Sequence, residues 1–205
     1  MTTNPELERW NTRFSAPDYV FGTDPNAFLA SQAHRLKRGQ SALAVADGEG
    51  RNGVWLARQG LDVLSVDFAP AAQAKARKLA AAHGVTPRFE LADIAGWRWQ
   101  PERFDVVAAI FIQFLGPSAR AAAFAGMKAT LKRGGLLILQ GYRPKQLEYK
   151  TGGPSIVENL YTAEILRNAF GDLRILHLLE HDSDVSEGAG HRGLSALIDL
   201  VAEKP

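Results

Sequence analysis

Short apolar runs alternate with amphipathic segments along the middle of the chain. Five apolar runs predict buried β-strands, at residues 41–46, 62–67, 87–93, 104–111 and 136–142. Three amphipathic segments that end in glycine predict helices between them, at residues 51–60, 70–84 and 118–135. Strands that alternate with helices form a parallel sheet covered on both faces, so we expect an α/β fold with right-handed crossovers.

The N-terminal part of the chain lacks this alternation. Residues 6–14 and 26–39 predict helices on either side of an aromatic, turn-rich loop, and Asn26 is a suitable N-cap for the second helix. We expect a single domain overall, with an N-terminal helical or lid segment at 1–39 packed on a core at 40–205.

The C-terminal part differs again. After a predicted helix at 162–170, two strand-like runs follow at 173–181 and 194–204 with no helix between them. The segment that joins them, 182–193, is polar and rich in glycine, which predicts a loop. The last two strands are therefore predicted to form a hairpin, in which one strand runs antiparallel to the rest of the sheet.

The composition excludes several classes of site and partner. The 205 residues include no cysteine, so disulfides, thiolate metal sites and a cysteine nucleophile are excluded. The formal net charge is +2 and positive residues cluster only modestly, at 35–39, so no nucleic-acid partner is expected. The longest strongly apolar run, 106–112, is too short to cross a bilayer. We expect a soluble, cytoplasmic protein that does not bind membranes.

A glycine-rich motif follows the first strand of the alternating region. Gly48, Gly50 and Gly53 satisfy G-x-G-x-x-G between a predicted strand and a predicted helix. Glycine permits a tight bend and a close approach of a ligand to the backbone, and the following helix directs its free N–H groups at that ligand. Asp67 ends the next strand, where a carboxylate can accept hydrogen bonds from both hydroxyls of a ribose. The motif therefore predicts a nucleoside-containing ligand with an anionic group.

The motif alone does not distinguish a dinucleotide from S-adenosylmethionine. Three further features favour S-adenosylmethionine. Asp93 and Ile94 follow a third predicted strand, where a carboxylate and a backbone N–H can recognise an adenine. A dehydrogenase usually needs a substrate domain, for which no chain is left, and the terminal hairpin fits a methyltransferase sheet better than a six-stranded parallel one. An NAD(P)-dependent oxidoreductase and a cofactor-binding module without catalysis stay as alternatives.

Several segments carry a resemblance to a known family. The chain resembles class I S-adenosylmethionine-dependent methyltransferases, and among them the bacterial tellurite-resistance-type group. The resembling segments are YVFGTDPNAFL (19–29), ADGEGRNGVWLA (46–57), VDFAPAAQAKA (66–76), FDVVAAIF (104–111), LKRGGLLILQGYRPKQLEYKTGGP (131–154) and EGAGHRG (187–193). The resemblance implies a Rossmann-like fold with a seven-stranded, mostly parallel sheet, S-adenosylmethionine as cofactor and a small-molecule acceptor such as a thiol or a chalcogen oxyanion.

The chain departs from the family pattern at two places. Many class I enzymes carry an acid near the start of the first motif, whereas here Ala44 and Ala46 occupy those positions and the acid is Asp47. We interpret Asp47 as the partner of the ammonium group of the methionine moiety. In 111–116 relatives often place a histidine that this chain lacks.

The carboxyl ends of parallel strands lie on one rim of the sheet, which together with the resemblance gives the candidate site. Candidate cofactor residues are Tyr19, Phe21, Gly22, Asp47, Gly48, Glu49, Gly50, Asn52, Gly53, Asp67, Phe68, Asp93, Ile94, Ile110 and Phe111. Candidate acceptor residues are Gln113, Arg143, Tyr149 and Arg192, and candidate catalytic residues are His181, His191 and Tyr142. The histidines and acids of the hairpin lack the spacing of a recognised metal site, so no metal is expected.

Overall fold

A computed structural model describes residues 5–205, which form a seven-stranded sheet with helices on both faces. The strands are β1 (Ser41–Val45), β2 (Asp62–Asp67), β3 (Arg88–Leu91), β4 (Phe104–Ile110), β5 (Leu131–Tyr142), β6 (Arg174–Glu187) and β7 (His191–Glu203). The α-helices are α1 (Pro5–Phe14), α2 (Ala27–Ser31), α3 (Arg51–Arg58), α4 (Pro70–Ala82), α5 (Pro117–Thr130), α6 (Gln146–Tyr149) and α7 (Ala163–Phe170). Short 3₁₀ turns cover Ala33–Arg35 and Val157–Asn159.

The strands lie in the order β3-β2-β1-β4-β5-β7-β6. The pairs among β1 to β5 are all parallel, whereas β7 pairs antiparallel with both β5 and β6. The expected mostly parallel sheet with an antiparallel strand from the terminal hairpin is confirmed.

The central strands are buried on both faces, which explains why they are almost continuously apolar. Leu43 and Val107 point to the side of α5 and α7, where Phe124 and Phe170 are buried. The alternate positions of the same strands, including Ala42 and Val106, point to the opposite side, where they pack against Trp55 and Leu56 of α3. The sheet is thus a central layer between two apolar cores.

Two of the predicted helix boundaries are wrong. The helix predicted at 26–39 ends at Ser31, because the Ser31 hydroxyl donates to the Phe28 carbonyl and a 3₁₀ turn follows. Asn26 does cap α2, since its side chain accepts from the Leu29 N–H. The helix predicted at 118–135 ends at Thr130; β5 begins at Leu131, and a bulge opposite 104–106 realigns it with β4.

The hairpin is much longer than predicted. The segment 182–193 was expected to be a loop, but β6 continues to Glu187 and β7 starts at His191, which pair with each other across the turn. Five of the six side chains at 182–187 are polar, which is why the composition predicts a loop, but their exposure alternates along an edge strand as a strand requires. The hairpin therefore extends beyond the helices and reaches the carboxyl-end rim of the parallel strands.

The turn of this hairpin contacts the loop that precedes α2. Gly190 donates its N–H to the Val20 carbonyl at 2.9 Å. Gly188 has a φ of +72°, and a Cβ there would lie 2.7 Å from the Phe21 Cα. A glycine at 188 thus permits both the turn and the close approach of the two backbones.

Candidate active site

A cavity lies at the carboxyl ends of β1, β2 and β4. Its walls come from these strand ends, from the N-terminus of α3, from α1 and the loop after it, and from the hairpin. The residues that line it are Trp10, Phe14, Phe21, Val45, Ala46, Asp47, Gly48, Arg51, Asn52, Asp67, Phe68, Ala108, Ile110, Phe111, Phe114 and His191. We call it the first cavity.

The glycine motif forms the bend between β1 and α3. Gly50 has a φ of +88°, and a Cβ there would lie 2.6 Å from the Cβ of Ala76, so the residue permits both the bend and the approach of α4. Gly48 donates its N–H to a carboxylate oxygen of Asp67 at 2.8 Å, which fixes the bend against the end of β2. The backbone here is therefore locked by contacts from two neighbouring elements.

Asp47 is buried at the base of the bend. Its carboxylate accepts the Gly53 N–H at 3.1 Å and the Ser65 hydroxyl at 2.8 Å. Burial raises the pKa of Asp47 to about 7, although both hydrogen bonds and the charge of Arg51 favour the ionised form. Asp47 is thus a carboxylate that titrates near neutral pH and faces the first cavity.

Asp67 ends β2 and is also buried. Its two oxygens accept the N–H groups of Gly48 and Ala69, both at 2.8 Å. Burial raises the pKa of this carboxyl, and the backbone hydrogen bonds oppose that shift. The Phe68 N–H also favours the ionised form, and the carboxylate keeps acceptor capacity for a further donor. Beside it, the rings of Phe68 and Phe114 are nearly parallel, with centroids 6.1 Å apart.

A second cavity adjoins the first and shares Trp10, Phe21, Phe111, Phe114 and His191 with it. Its remaining walls come from α1, from the segment after α6 and from the ends of β4 and β5. These remaining residues are Glu6, Arg9, Arg13, Gln113, Tyr142, Gly152, Gly153, Pro154, Ser155, Ile156, Asn159 and Gly190. The two cavities therefore meet at an aromatic boundary that includes one histidine.

His191 is held firmly at that boundary. The Tyr142 hydroxyl lies 2.9 Å from the His191 Nδ1, and the imidazole packs against the rings of Phe21 and Phe111 with centroids 4.4 and 4.3 Å away. Burial, together with the charges of Arg51 and Arg13, lowers the pKa of His191 to about 3. The ring is therefore neutral at physiological pH, and Nε2 is the nitrogen left for a ligand.

Phe111 occupies a strained backbone conformation at the same boundary. Its φ is +55°, in the left-handed region that costs a residue with a side chain roughly 1 kcal/mol or more. Phe111 also stacks on Tyr142 at 4.7 Å. Gln113 links the segment after β4 to the end of β5. Its side-chain amide donates to the Tyr142 carbonyl at 2.9 Å, and its side-chain oxygen accepts the Tyr142 N–H.

Three predicted cofactor residues hold the N-terminal loop without lining the first cavity. Glu49 accepts the N–H groups of Val20 and Phe21 at 2.8 and 3.3 Å and pairs with Lys75 of α4 at 2.8 Å. Tyr19 donates its hydroxyl to the Lys75 carbonyl at 3.1 Å. Gly22 packs against Gly188 of the hairpin turn. Together these contacts bring Phe21 over the cavity.

The predicted adenine residues lie at the end of β3, outside the residues that line either cavity. Asp93 is exposed and accepts the Ala95 N–H at 2.9 Å. Ile94 is buried in the core between the sheet and α5.

The other predicted acceptor residues cluster away from the cavities. Arg143 and Tyr149 both contact the Asp182 carboxylate, the latter at 3.0 Å. His181 pairs with Asp199 at 3.0 Å and lines a separate groove beside the hairpin. Arg192 is exposed on β7. Of the predicted catalytic residues, only His191 and Tyr142 come together.

Sequence reasoning missed several residues that line the first cavity. Trp10 and Phe14 are four apart on a helix, a spacing that indicates packing, and they do pack, with ring centroids 5.4 Å apart, but they also cover the cavity. Phe114 lies within the segment 111–116, which lacks a histidine. Arg51, the first residue of α3, lies within the glycine motif, but nothing in the sequence indicates that its side chain lines the cavity.

Within residues 5–205, no group of three or more His, Asp or Glu side chains has an arrangement that fits a metal ion. None of the helices described there combines the length and the apolar character that a membrane crossing needs.

Residues 42–135 match a family model described as a methyltransferase domain. No curated protein matches the sequence significantly. The N-methyltransferase NodS from Bradyrhizobium japonicum, in complex with S-adenosyl-L-homocysteine, superposes with a TM-score of 0.72 and 15% identity, over 97% of this chain and 98% of that chain. TehB from Haemophilus influenzae superposes with a TM-score of 0.71 and 16% identity, over 98% of this chain and 67% of that chain.

A TehB-like S-adenosylmethionine-dependent methyltransferase from Corynebacterium glutamicum superposes with a TM-score of 0.61 and 18% identity, over 98% of this chain and 97% of that chain. The fold is that of class I methyltransferases, and the part of the chain at 42–135 matches a methyltransferase domain. The expected resemblance to this family, including its TehB-like members, is confirmed at the level of the fold and of the matched domain.

Proposed function

We propose that the protein transfers a methyl group from S-adenosylmethionine, bound in the first cavity, to a small-molecule acceptor in the second cavity. The observation that carries this proposal is the junction of the two cavities. The first presents two buried carboxylates beside a glycine bend, and the second opens from it across His191 and an aromatic boundary.

The first cavity fits the chemistry of the cofactor. Asp67 retains acceptor capacity for the ribose, because a carboxylate offers about four lone pairs and the N–H groups of Gly48, Ala69 and Phe68 use three of them at most. Phe68 and Phe114 offer flat apolar faces beside Asp67, as an adenine requires. Asp47 supplies a negative charge for the ammonium of the methionine moiety. Asp93, at the end of β3, stays our candidate for the adenine amino group.

When it is bound, the cofactor supplies a methyl group on a sulfonium, which is already reactive towards nucleophiles. The task of the protein is therefore to align an acceptor and to exclude water. Phe21 and Phe111 form an apolar boundary between the two cavities and so keep water away from the reacting atoms.

His191 is our candidate for the residue that orients the acceptor. Its Nδ1 is engaged with Tyr142, so Nε2 can form a hydrogen bond with an acceptor, and a pKa of about 3 makes the imidazole too weak a base for proton abstraction. His181 is less suitable, because it is paired with Asp199 and lines a separate groove. A thiol, a chalcogen oxyanion or another small metabolite is proposed as the acceptor, and Arg9 and Arg13, which line the second cavity, favour an anionic one.

Isothermal titration with S-adenosylmethionine tests cofactor binding. Wild type should bind, Asp67→Asn should bind at least tenfold more weakly because it removes the charge that the ribose hydroxyls need, and Asp93→Asn measures the contribution of the exposed acid. Undetectable binding by wild type at millimolar cofactor would refute the proposal. NADH is the control ligand, and binding of NADH alone would favour an oxidoreductase.

Transfer of a radiolabelled methyl group onto a panel of thiols, amines, hydroxyls and oxyanions then tests catalysis. Wild type should methylate at least one of these compounds, and substitutions of residues that line the second cavity should lower the rate. A protein that binds the cofactor but labels nothing in the panel or among fractionated metabolites would be a binding module.

A further inference from the structure

Arg13 is a cation at the second cavity that has no ionic partner in the described part of the chain. It lines the second cavity and does not line the first. Its guanidinium lies over the rings of Trp10 and Phe21, with 5.2 and 5.0 Å between its Cζ and the ring centroids. Within residues 5–205 its side chain forms no ion pair and no hydrogen bond, so its N–H groups are available to a ligand.

The other arginine of the second cavity differs, because it is already paired. Arg9 lies one turn earlier on α1, and its Nη2 is 2.7 Å from a carboxylate oxygen of Glu6. Burial and the charge of Arg9 lower the pKa of Arg13, and the charge of Glu49 opposes them only in part. The side chains that line the second cavity therefore carry two positive charges and one negative charge. An anion beside Arg13 would compensate the charge that is left over.

The second cavity is large for an inorganic anion. Its volume is about 360 Å³. Cavities that hold organic ligands measure roughly 300–1,000 Å³, so this volume suits an organic molecule. An oxyanion such as selenite takes the space of only a few waters, and most of the cavity would stay filled with solvent around it.

The walls of the second cavity suit a ligand with an apolar body. Trp10, Phe21, Phe111 and Phe114 bring aromatic rings to the boundary that the two cavities share. Ile156 also lines the second cavity and is 56% exposed. A ligand that removes these apolar surfaces from water is stabilised by their burial, and an inorganic oxyanion has no apolar surface with which to do so.

We infer that the methyl acceptor is an organic anion rather than an inorganic oxyanion, and that Arg13 recognises its anionic group while the aromatic walls and Ile156 hold its apolar body. This inference rests on the proposed function and deepens it, because it names the class of acceptor and the residue that selects it. A Cβ on Gly190 would lie 3.0 Å from the Arg13 Nη2, and Gly190 directly precedes His191. The guanidinium can therefore hold a carboxylate beside the junction of the two cavities.

Pairs of ligands that differ only in charge test the inference. Benzoate, phenylacetate and salicylate, each beside its primary amide, should be titrated by calorimetry into protein saturated with S-adenosyl-L-homocysteine, with selenite as the inorganic anion. Wild type should bind at least one carboxylate roughly tenfold more tightly than its amide and than selenite, as expected for a charged hydrogen bond. Arg13→Gln should lose most of this preference and bind the amide within about threefold of wild type. Arg13→Lys should keep part of it, because lysine keeps the charge but not the fork of donors.

Arg9→Gln is the matched control, because it removes a charge from the same helix whose guanidinium is already paired. It should keep the preference for the carboxylate within about threefold of wild type, since exposed ion pairs contribute little. Equal losses of preference in Arg9→Gln and Arg13→Gln would overturn the role of Arg13.

Two further results separate this inference from the proposed function. A wild type that binds S-adenosyl-L-homocysteine, but binds no carboxylate at millimolar concentration or none more tightly than its amide and selenite, would overturn the inference and leave the proposed function intact. A wild type that binds neither S-adenosyl-L-homocysteine nor the carboxylates would remove both.

Discussion

At the scale of single residues, Asp47 is the group of the first cavity whose charge changes near neutral pH. Burial places its pKa at about 7, above its unfolded value, so the carboxyl is largely protonated below pH 6 and ionised above pH 8. A bound ammonium favours the ionised form. Binding of S-adenosylmethionine is therefore expected to release a proton below pH 7 and to weaken as the pH falls.

We expect the dissociation constant of wild type to rise roughly fivefold between pH 7 and pH 6, as linkage to a group with a pKa of about 7 requires. The measurement is calorimetry at several pH values in buffers of different ionisation enthalpy. Asp67 also faces the cavity with a raised pKa, so Asp47→Asn serves to separate the two carboxyls. This variant should bind more weakly at pH 7 and lose most of the pH dependence, and an unchanged profile in Asp47→Asn would assign the titration to Asp67.

His191 gives a prediction about turnover. Its pKa of about 3 keeps the imidazole neutral above pH 5. The value of kcat/KM for the methyl acceptor should therefore show no decrease near pH 6.5 that arises from this residue. His191→Ala should lower kcat about tenfold, because it removes a hydrogen bond that orients the acceptor. Its affinity for S-adenosyl-L-homocysteine should change little.

His181→Ala is the comparison variant, because His181 pairs with Asp199 outside both cavities. Equal losses of turnover in the two variants would argue against a role for His191 at the reacting atoms. Tyr142→Phe should show an intermediate loss, since it removes the hydroxyl that orients the imidazole and keeps the stacked ring.

The positions of the acids and glycines of the candidate site could be predicted from the sequence better than the positions of the other residues that line it. Asp47, Gly48 and Asp67 lie at strand ends, so their position follows from the order of strands and the direction of the chain. Arg51 and His191 could not be placed together, because their proximity depends on how far a hairpin extends. Glu49 lies in the motif but points to the N-terminal loop, and nothing in the spacing indicates the direction of its side chain.

At the scale of elements, the terminal hairpin and the N-terminal loop form one contact over the cavities. The Gly190 N–H, the packing of Gly188 on Gly22 and the contact of Glu187 with Asn26 join the hairpin to this loop, and the Glu187–Arg51 pair joins it to α3. Each contact combines residues that lie more than 130 positions apart, so local patterns of polarity could not indicate it. Five of the six residues at 182–187 are polar, a composition that is typical of a loop as well.

This contact can be tested with two glycine substitutions. Gly188→Ala and Gly84→Ala both replace a glycine with positive φ, at +72° and +66°, so they share a backbone strain of roughly 1–2 kcal/mol. Only Gly188→Ala adds a collision, because its Cβ would meet the backbone of Phe21 and Gly22, whereas nothing lies within 4 Å of a Cβ at Gly84. Gly188→Ala should separate the loop from the hairpin.

We expect Gly188→Ala to weaken binding of S-adenosyl-L-homocysteine by about fivefold or more, since the collision displaces Phe21 and the hairpin that carries His191, and both residues line the first cavity. Limited proteolysis should cut near residues 15–25 faster than in wild type. Gly84→Ala should lose stability in urea denaturation but keep its affinity. Similar affinities in the two variants would mean that the contact plays no part in binding.

At the scale of the whole molecule, the order of strands could be anticipated in outline from the sequence. Alternating strands and helices require a parallel sheet, and two successive strands without a helix require a hairpin. The position of β7 between β5 and β6 depends on long-range pairing, which local sequence patterns do not indicate. Only the resemblance to methyltransferases predicts it. Because the site is divided among strand ends, α1 and the hairpin, a ligand in the first cavity should stabilise the entire fold.

Thermal unfolding measures this coupling. A ligand present at one hundred times its dissociation constant adds about 2.7 kcal/mol to the free energy of unfolding, which for a chain of this size raises the Tm by roughly 5–10 °C. We expect S-adenosyl-L-homocysteine to produce such a shift in wild type, and NADH at the same concentration to produce none. Asp67→Asn should show a much smaller shift at equal ligand concentration, because its affinity is lower. A shift with NADH that exceeds the shift with S-adenosyl-L-homocysteine would instead indicate that the glycine bend between β1 and α3 binds a pyrophosphate.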